Sequence, residues 1–175
     1  GKGTSEERLA DGLSSAGVSP GDVAVATKWH PLCRFASHML KTIGERKNCL
    51  RPYPIDLYQV HIPFSFSTVR GEAEALAQLV HDGHVRAVGV SNYSARQMIA
   101  MHGCLAEHGV PLASNQVEYS LLNRRIETDG TLDAAKERGI SVIAYSPLAM
   151  GLLTGKFHKD PELLGKAGLR RWKQL

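Results

Sequence analysis

No run of this chain approaches the about 20 consecutive apolar residues of a membrane helix. Residues 1–30 also lack the apolar centre of a secretion signal. Neither a membrane nor an export route is expected. Cysteine is scarce: Cys33, Cys49 and Cys104 are the only three, widely spaced, with no CxxC pair. That excludes a disulfide framework and leads us to expect a reduced, cytoplasmic setting. Charge of one sign is not concentrated. The 21 Lys and Arg give a net charge of +4, but no basic run is longer than Arg170-Arg171 and no aromatics interleave with them. Nucleic-acid binding needs a focused basic stripe and is not expected. Eight histidines occur without HxH or HExxH spacing, so no metal is expected. No GxGxxG follows a strand-like run, which argues against a Rossmann domain.

What is present is ordinary globular composition, 43% hydrophobic and 22% charged in 175 residues. Five short runs, each bounded by turn signals, read as buried strands. They are residues 23–27 (VAVAT), 55–60 (IDLYQV), 85–90 (VRAVGV), 112–117 (LASNQV) and 140–144 (ISVIA). Helical patterns cover residues 5–13, 72–81, 95–108 and 132–138. The first follows a capping signature, Thr4-Ser5-Glu6-Glu7. Gly83, Gly109 and Gly139 each stand between a helix and a strand, where a left-handed C-cap is needed. The rhythm is that of parallel βαβ units.

The strand ends fall about 30 residues apart, the size of one unit in a (β/α)₈ barrel of about 250 residues. A doubly wound sheet has similar spacing, and 175 residues supply five such strands rather than eight. Either an open five-stranded α/β domain or a piece of a barrel fits.

Parallel α/β folds bind ligands at the carboxyl ends of their strands. Those ends carry Lys28, His61, Ser91 with Asn92, Asn115 with Gln116, and Tyr145 with Ser146. Taken singly, each is an ordinary solvated or satisfied polar group. Taken together they suggest polarisation chemistry. His61 can donate a hydrogen bond to a carbonyl oxygen, and Lys28 can depress a neighbouring pKa. Ser91, Asn92 and Gln116 offer donors and acceptors for an amide, and Tyr145 offers a face for a flat ring. A nicotinamide combines those two features.

GKGTSEERLA, VAVATK, IDLYQVHIP, VRAVGVSNYS, LASNQVEYSLLNR and VIAYSPLAMGLLTGKF occur in that order. With them the chain resembles the aldo-keto reductases, in the branch of potassium-channel β subunits and bacterial general stress reductases. The resemblance implies an incomplete TIM barrel of about five of eight strands over residues 1–175, and NADP as cofactor. It implies that Lys28 lowers the pKa of a catalytic tyrosine and that His61 orients the substrate carbonyl. It places the nicotinamide carboxamide on Ser91, Asn92 and Gln116, and the nicotinamide ring on Tyr145. It places the pyrophosphate along Ser146, Leu148, Gly151, Leu153 and Lys156.

The family's proton-donating tyrosine would stand just before Gly1, and the region gripping the adenosine 2′-phosphate would lie after Leu175. Tyr53, Tyr58, Tyr93 and Tyr119 do not match that tyrosine. The expected substrate is a small aldehyde or ketone, with Phe64 and Phe66 forming either a wall beside it or packing on the barrel rim. The alternative is a catalytically inactive, self-associating or regulatory fragment. An incomplete barrel would expose sheet edges and an apolar inner face, which favours a homo-oligomer. The basic segment 170–173 offers weak support for a regulatory role.

Overall fold

Five parallel strands lie side by side in chain order: β1 (Ala26–Trp29), β2 (Leu57–Val60), β3 (Ala87–Ser91), β4 (Leu112–Glu118) and β5 (Ser141–Tyr145). The computed structural model describes residues 3–160 and residue 162. Segment 170–173 lies outside them. A doubly wound sheet reverses its strand order at a switch point. This sheet has no reversal among the described residues, so it is a sector of a barrel and not an open Rossmann-like layer.

Helices α1 (Thr4–Ser15), α2 (Ser37–Leu50), α3 (Val69–His81), α4 (Ala95–Ala106) and α5 (Thr131–Glu137) alternate with the strands. A short α6 (Lys156–Lys159) follows β5. The termination expected at glycine is realised. At the end of α3, Gly83 (φ 67°) donates to the Val80 carbonyl at 3.0 Å, and His84 donates to the Leu79 carbonyl at 2.9 Å. This pair of bonds satisfies carbonyls that the helix leaves open. Gly109 and Gly139 close α4 and α5 with the same pair.

Local pattern misplaced two helix starts. α1 begins on Gly3 in a left-handed conformation, with no side-chain cap, so Thr4 and Ser5 are inside the helix. α3 begins three residues earlier than its apolar face suggests, because the Thr68 hydroxyl accepts from Gly71 N–H at 3.1 Å. A full capping box does occur, between Ser94 and Gln97 at α4.

β1 lies three residues beyond the start of the VAVAT run. Its pairing is set by β2: Ala26 faces Leu57 and Lys28 faces Gln59. Alternate residues point to opposite faces of a sheet. On the helix side Trp29, Tyr58, Val60, Val88 and Val90 are fully buried against Met39, Leu76, Met98 and other helical side chains. The opposite face carries Lys28, Gln59, Ser91, Ser114, Gln116 and Ser141, interspersed with Ala26, Leu57, Ala87, Gly89 and Ile143. The inner face expected to be apolar is thus mixed, with polar groups set among small and aliphatic ones.

Gln59 links polar groups of this face across neighbouring strands. Its amide nitrogen donates to the Ser114 hydroxyl at 3.2 Å, passing over Gly89. A Cβ on Gly89 would stand 2.4 Å from Ser114 Oγ, so only glycine permits the crossing.

Candidate active site

The carboxyl ends of β2 to β5 converge on one hydrogen-bonded cluster. Asn92 is its centre. Its backbone is left-handed (φ 62°), a conformation asparagine tolerates better than most residues. Its Nδ2 donates to the His61 carbonyl and to Ser91 Oγ, both at 3.1 Å. Its Oδ1 accepts from the Tyr145 hydroxyl at 3.0 Å. Its main-chain N–H donates to the Gln116 carbonyl at 2.8 Å, and Ser91 Oγ donates to the same carbonyl at 2.9 Å. Four strands are thus tied at one rim.

These bonds use both protons of the Asn92 amide. By valence, an external amide is left with one lone pair of Asn92 Oδ1, one of Ser91 Oγ, and the Gln116 side chain. The Gln116 side-chain amide is half-buried and makes no hydrogen bond among the described residues.

His61 follows β2 on the same face as Gln59 and hence beside Lys28. Its imidazole pKa is lowered, first by burial, then by the Lys28 charge and by His30. Burial also lowers the Lys28 pKa. A lowered pKa keeps His61 neutral at pH 7, so it presents an N–H without a full charge. His30 packs edge-on against it, ring centroids 5.2 Å apart. The strand-end residues singled out in the sequence did not include His30. The signal was available: His30 stands two residues after Lys28 and shares its face.

Asn115 does not join the site. It is fully buried on the helix side, where its Nδ2 donates to the Tyr93 carbonyl at 2.9 Å. Strand alternation puts Gln116 on the open face and Asn115 behind it. Tyr58 and Tyr53 are also turned away. Tyr58 is buried, which pushes its phenol up to about 12, and Tyr53 donates to the Val18 carbonyl at 2.7 Å. Burial also raises the Tyr145 phenol, with the Glu118 charge adding to it.

Beyond β5 the chain passes through Ser146 (φ 53°), Ala149 (φ 47°), Met150 (φ 53°) and Gly151 (φ 94°). Within this turn the Ala149 N–H donates to the Ser146 carbonyl at 2.8 Å, and the Gly151 and Leu153 N–H groups donate to the Leu148 carbonyl at 2.8 and 3.3 Å. Ser146, Gly151 and Leu153 are half-buried, while Leu148 and Lys156 are exposed. The Lys156 ammonium lies over Gly151, where a Cβ would be 3.3 Å from Nζ.

Phe64 and Phe66 are 67% and 61% exposed, so they do not pack on the barrel rim. Phe66 instead contacts Phe35 across the β1 and β2 loops, with ring centroids 5.6 Å apart. The loops are stitched by Phe66 N–H donating to the Arg34 carbonyl at 2.9 Å.

Comparisons with known proteins bear on the family and the fold. A family model described as "Aldo/keto reductase family" matches residues 1–172. An aldo-keto reductase of Bacillus subtilis is 34% identical over 169 residues, covering 91% of this chain and 49% of that protein. The structure of a glycerol dehydrogenase from Gluconobacter oxydans matches with a TM-score of 0.77 and 33% identity, over 90% of this chain and 50% of that one. An aldo/keto reductase from Klebsiella pneumoniae, solved with NADP and acetate, matches with a TM-score of 0.72 and 28% identity, over 85% of this chain and 50% of that one. The chain spans about half the length of these relatives.

Proposed function

The chain belongs to the aldo/keto reductase family, and from that premise we propose that the whole protein reduces aldehydes or ketones with NADPH. The observation that carries this reading is His61 beside Lys28, on a rim tied together through Asn92. The residues present suit a nicotinamide. Gln116 offers a free amide, Ser91 and Asn92 each retain a lone pair, and the Tyr145 ring is half-buried at the strand end. When bound, the cofactor supplies the hydride.

The chain's own residues do the rest. His61 donates its N–H to the substrate oxygen and orients the carbonyl. The Lys28 ammonium stabilises an adjacent phenolate and so favours proton release by the tyrosine that the family pattern places before Gly1. Ser146, Leu148, Gly151 and Leu153 line the turn along which the pyrophosphate would lie, and Lys156 adds a positive charge there. The Klebsiella relative's complex with NADP supports NADP over NAD. The exposed Phe35, Phe64 and Phe66 form a wall beside the His61 loop for the carbonyl's substituent.

The test is turnover of a generic aldehyde by the whole protein, followed as NADPH absorbance. Turnover that disappears in His61→Ala with NADPH binding retained supports the reading. A whole protein that binds no NADPH and turns over no aldehyde defeats it and leaves the non-catalytic alternative. One observation favours self-association of the 175-residue chain. β1 and β5 each pair on one side only among the described residues, and unpaired edges recruit other strands. Sedimentation of the chain would show a single monomeric species if that is wrong.

A further inference from the structure

Glu72 is a buried carboxylate that the chemistry above does not use. It lies in the first turn of α3 and is 4% exposed. A helix N-terminus suits a negative charge, but the partner comes from a different element. The Tyr93 hydroxyl donates to Glu72 Oε2 at 3.0 Å. Tyr93 is itself 3% exposed. Burial raises the Glu72 carboxyl, against the hydrogen bonds it accepts from Ser65 and Tyr93. Burial and the Glu72 carboxylate also raise the Tyr93 phenol, so it stays a donor.

Tyr93 immediately follows Asn92. Its main chain is held as firmly as its ring, because Asn115 Nδ2 donates to the Tyr93 carbonyl at 2.9 Å. The residue after Asn92 is therefore pinned at its ring tip by α3 and at its carbonyl by β4. Between those pins and the β3 ladder, Asn92 holds its left-handed backbone. A non-glycine residue persists there only when its surroundings over-determine it.

We propose that Glu72 and Tyr93 form a buried brace that positions Asn92, and through it the His61 carbonyl and the Tyr145 ring. Glu72 is then a positioning residue for carbonyl reduction. It touches neither cofactor nor substrate. Its partner Tyr93 sits next to the residue that both His61 and Tyr145 bond to. The inference rests on the nicotinamide reading of Ser91, Asn92 and Gln116. A purely structural role would change stability and leave the cofactor site alone. A positioning role shows in cofactor affinity, because small misplacements at a reacting centre are costly.

The experiment uses the whole protein and measures NADPH dissociation constants by fluorescence titration in E72L, E72Q, Y93F and E72L/Y93F. Ser91→Ala and Gln116→Ala are measured alongside. E72L and Y93F should each weaken NADPH about tenfold. E72Q retains an acceptor for the Tyr93 hydroxyl and should stay within about twofold of the parent protein. The double variant should be no weaker than the worse single one, because both remove the same bond. Folded E72L and Y93F proteins that bind NADPH normally would overturn the brace, as would losses that multiply in the double variant. If both single variants lose their circular-dichroism signal, the pair is a fold staple and the proposal is also overturned. If Ser91→Ala and Gln116→Ala leave NADPH affinity unchanged, the nicotinamide reading fails first and the brace falls with it.

Discussion

The Tyr145 hydroxyl donates to Asn92 Oδ1 at 3.0 Å, joining residues 53 positions apart in the chain. This bond crosses β4 and ties the end of β5 to the end of β3. It also fixes where the Tyr145 ring stands. Tyr145→Phe keeps the ring and removes the bond. A neutral hydrogen bond contributes about 1 kcal/mol, so NADPH affinity should fall about fivefold. Fluorescence titration measures it, and an unchanged dissociation constant would show that the bond does not set the ring's position.

Lys28 and His61 are coupled electrostatically, and one substitution tests the coupling. Burial is the largest cause of the lowered His61 pKa and the Lys28 charge is the next. Lys28→Met removes that charge and should move the His61 pKa upward, toward the ordinary histidine range, while the burial effect remains. Proton NMR of the His61 ring reads this directly. In the whole protein the same variant should lower the rate of the chemical step by about 10²-fold or more. A downward or absent pKa change would mean the ammonium does not face His61.

A buried charge pair supports the fold rather than the site. Arg46 pairs with Glu6 between α2 and α1, their side chains 14% and 10% exposed, and Thr27 of β1 donates to the same carboxylate at 2.9 Å. Burial alone would raise the Glu6 pKa. Its main-chain N–H, the Thr27 hydroxyl and Arg46 outweigh burial and lower it. A carboxylate with a lowered folded pKa contributes stability above its unfolded pKa, and the contribution is lost as pH falls through the folded value. Urea unfolding should show that acid loss. Arg46→Met should cost about 3–5 kcal/mol near neutral pH, because it strands a buried carboxylate. A cost near zero would place the pair in solvent.

Gly89 is the close approach on the open face of the sheet. A Cβ there meets Ser114 Oγ at 2.4 Å and the Ser114 carbonyl oxygen at 3.0 Å. Gly89→Ala should therefore break the Gln59–Ser114 bond and destabilise the chain by about 1–3 kcal/mol. Adding Ser114→Ala removes the nearer clash but not the carbonyl one, so rescue should be partial. Denaturant midpoints distinguish these outcomes, and full rescue would show that the carbonyl contact yields freely.

The strand-helix rhythm and the glycine-terminated helices were legible because both depend on short-range pattern. β-Branched runs bounded by turns predicted all five strands, although β1 was placed too early because VAVAT is more apolar than the paired ATKW. Lys28, His61, Ser91 and Gln116 were legible because strand ends carry them in parallel register. Asn115 was misread because facing depends on register, and adjacent residues of β4 point opposite ways. Glu72 was invisible for a different reason. On a helix it reads as one more solvated glutamate, and its partner Tyr93 lies 21 residues away on another element.

By itself the sequence determined the units: which residues alternate, where helices stop, and which polar groups end each strand. Those follow from backbone sterics and side-chain periodicity within a few residues. The tertiary structure alone decided the sector-of-barrel order, the grouping of polar side chains on the uncovered face and the Asn92 hub. Each of these requires strands about 30 residues apart to meet in one register. No local preference specifies that meeting. The buried helix-side packing and the hydrogen bonds at the rim do.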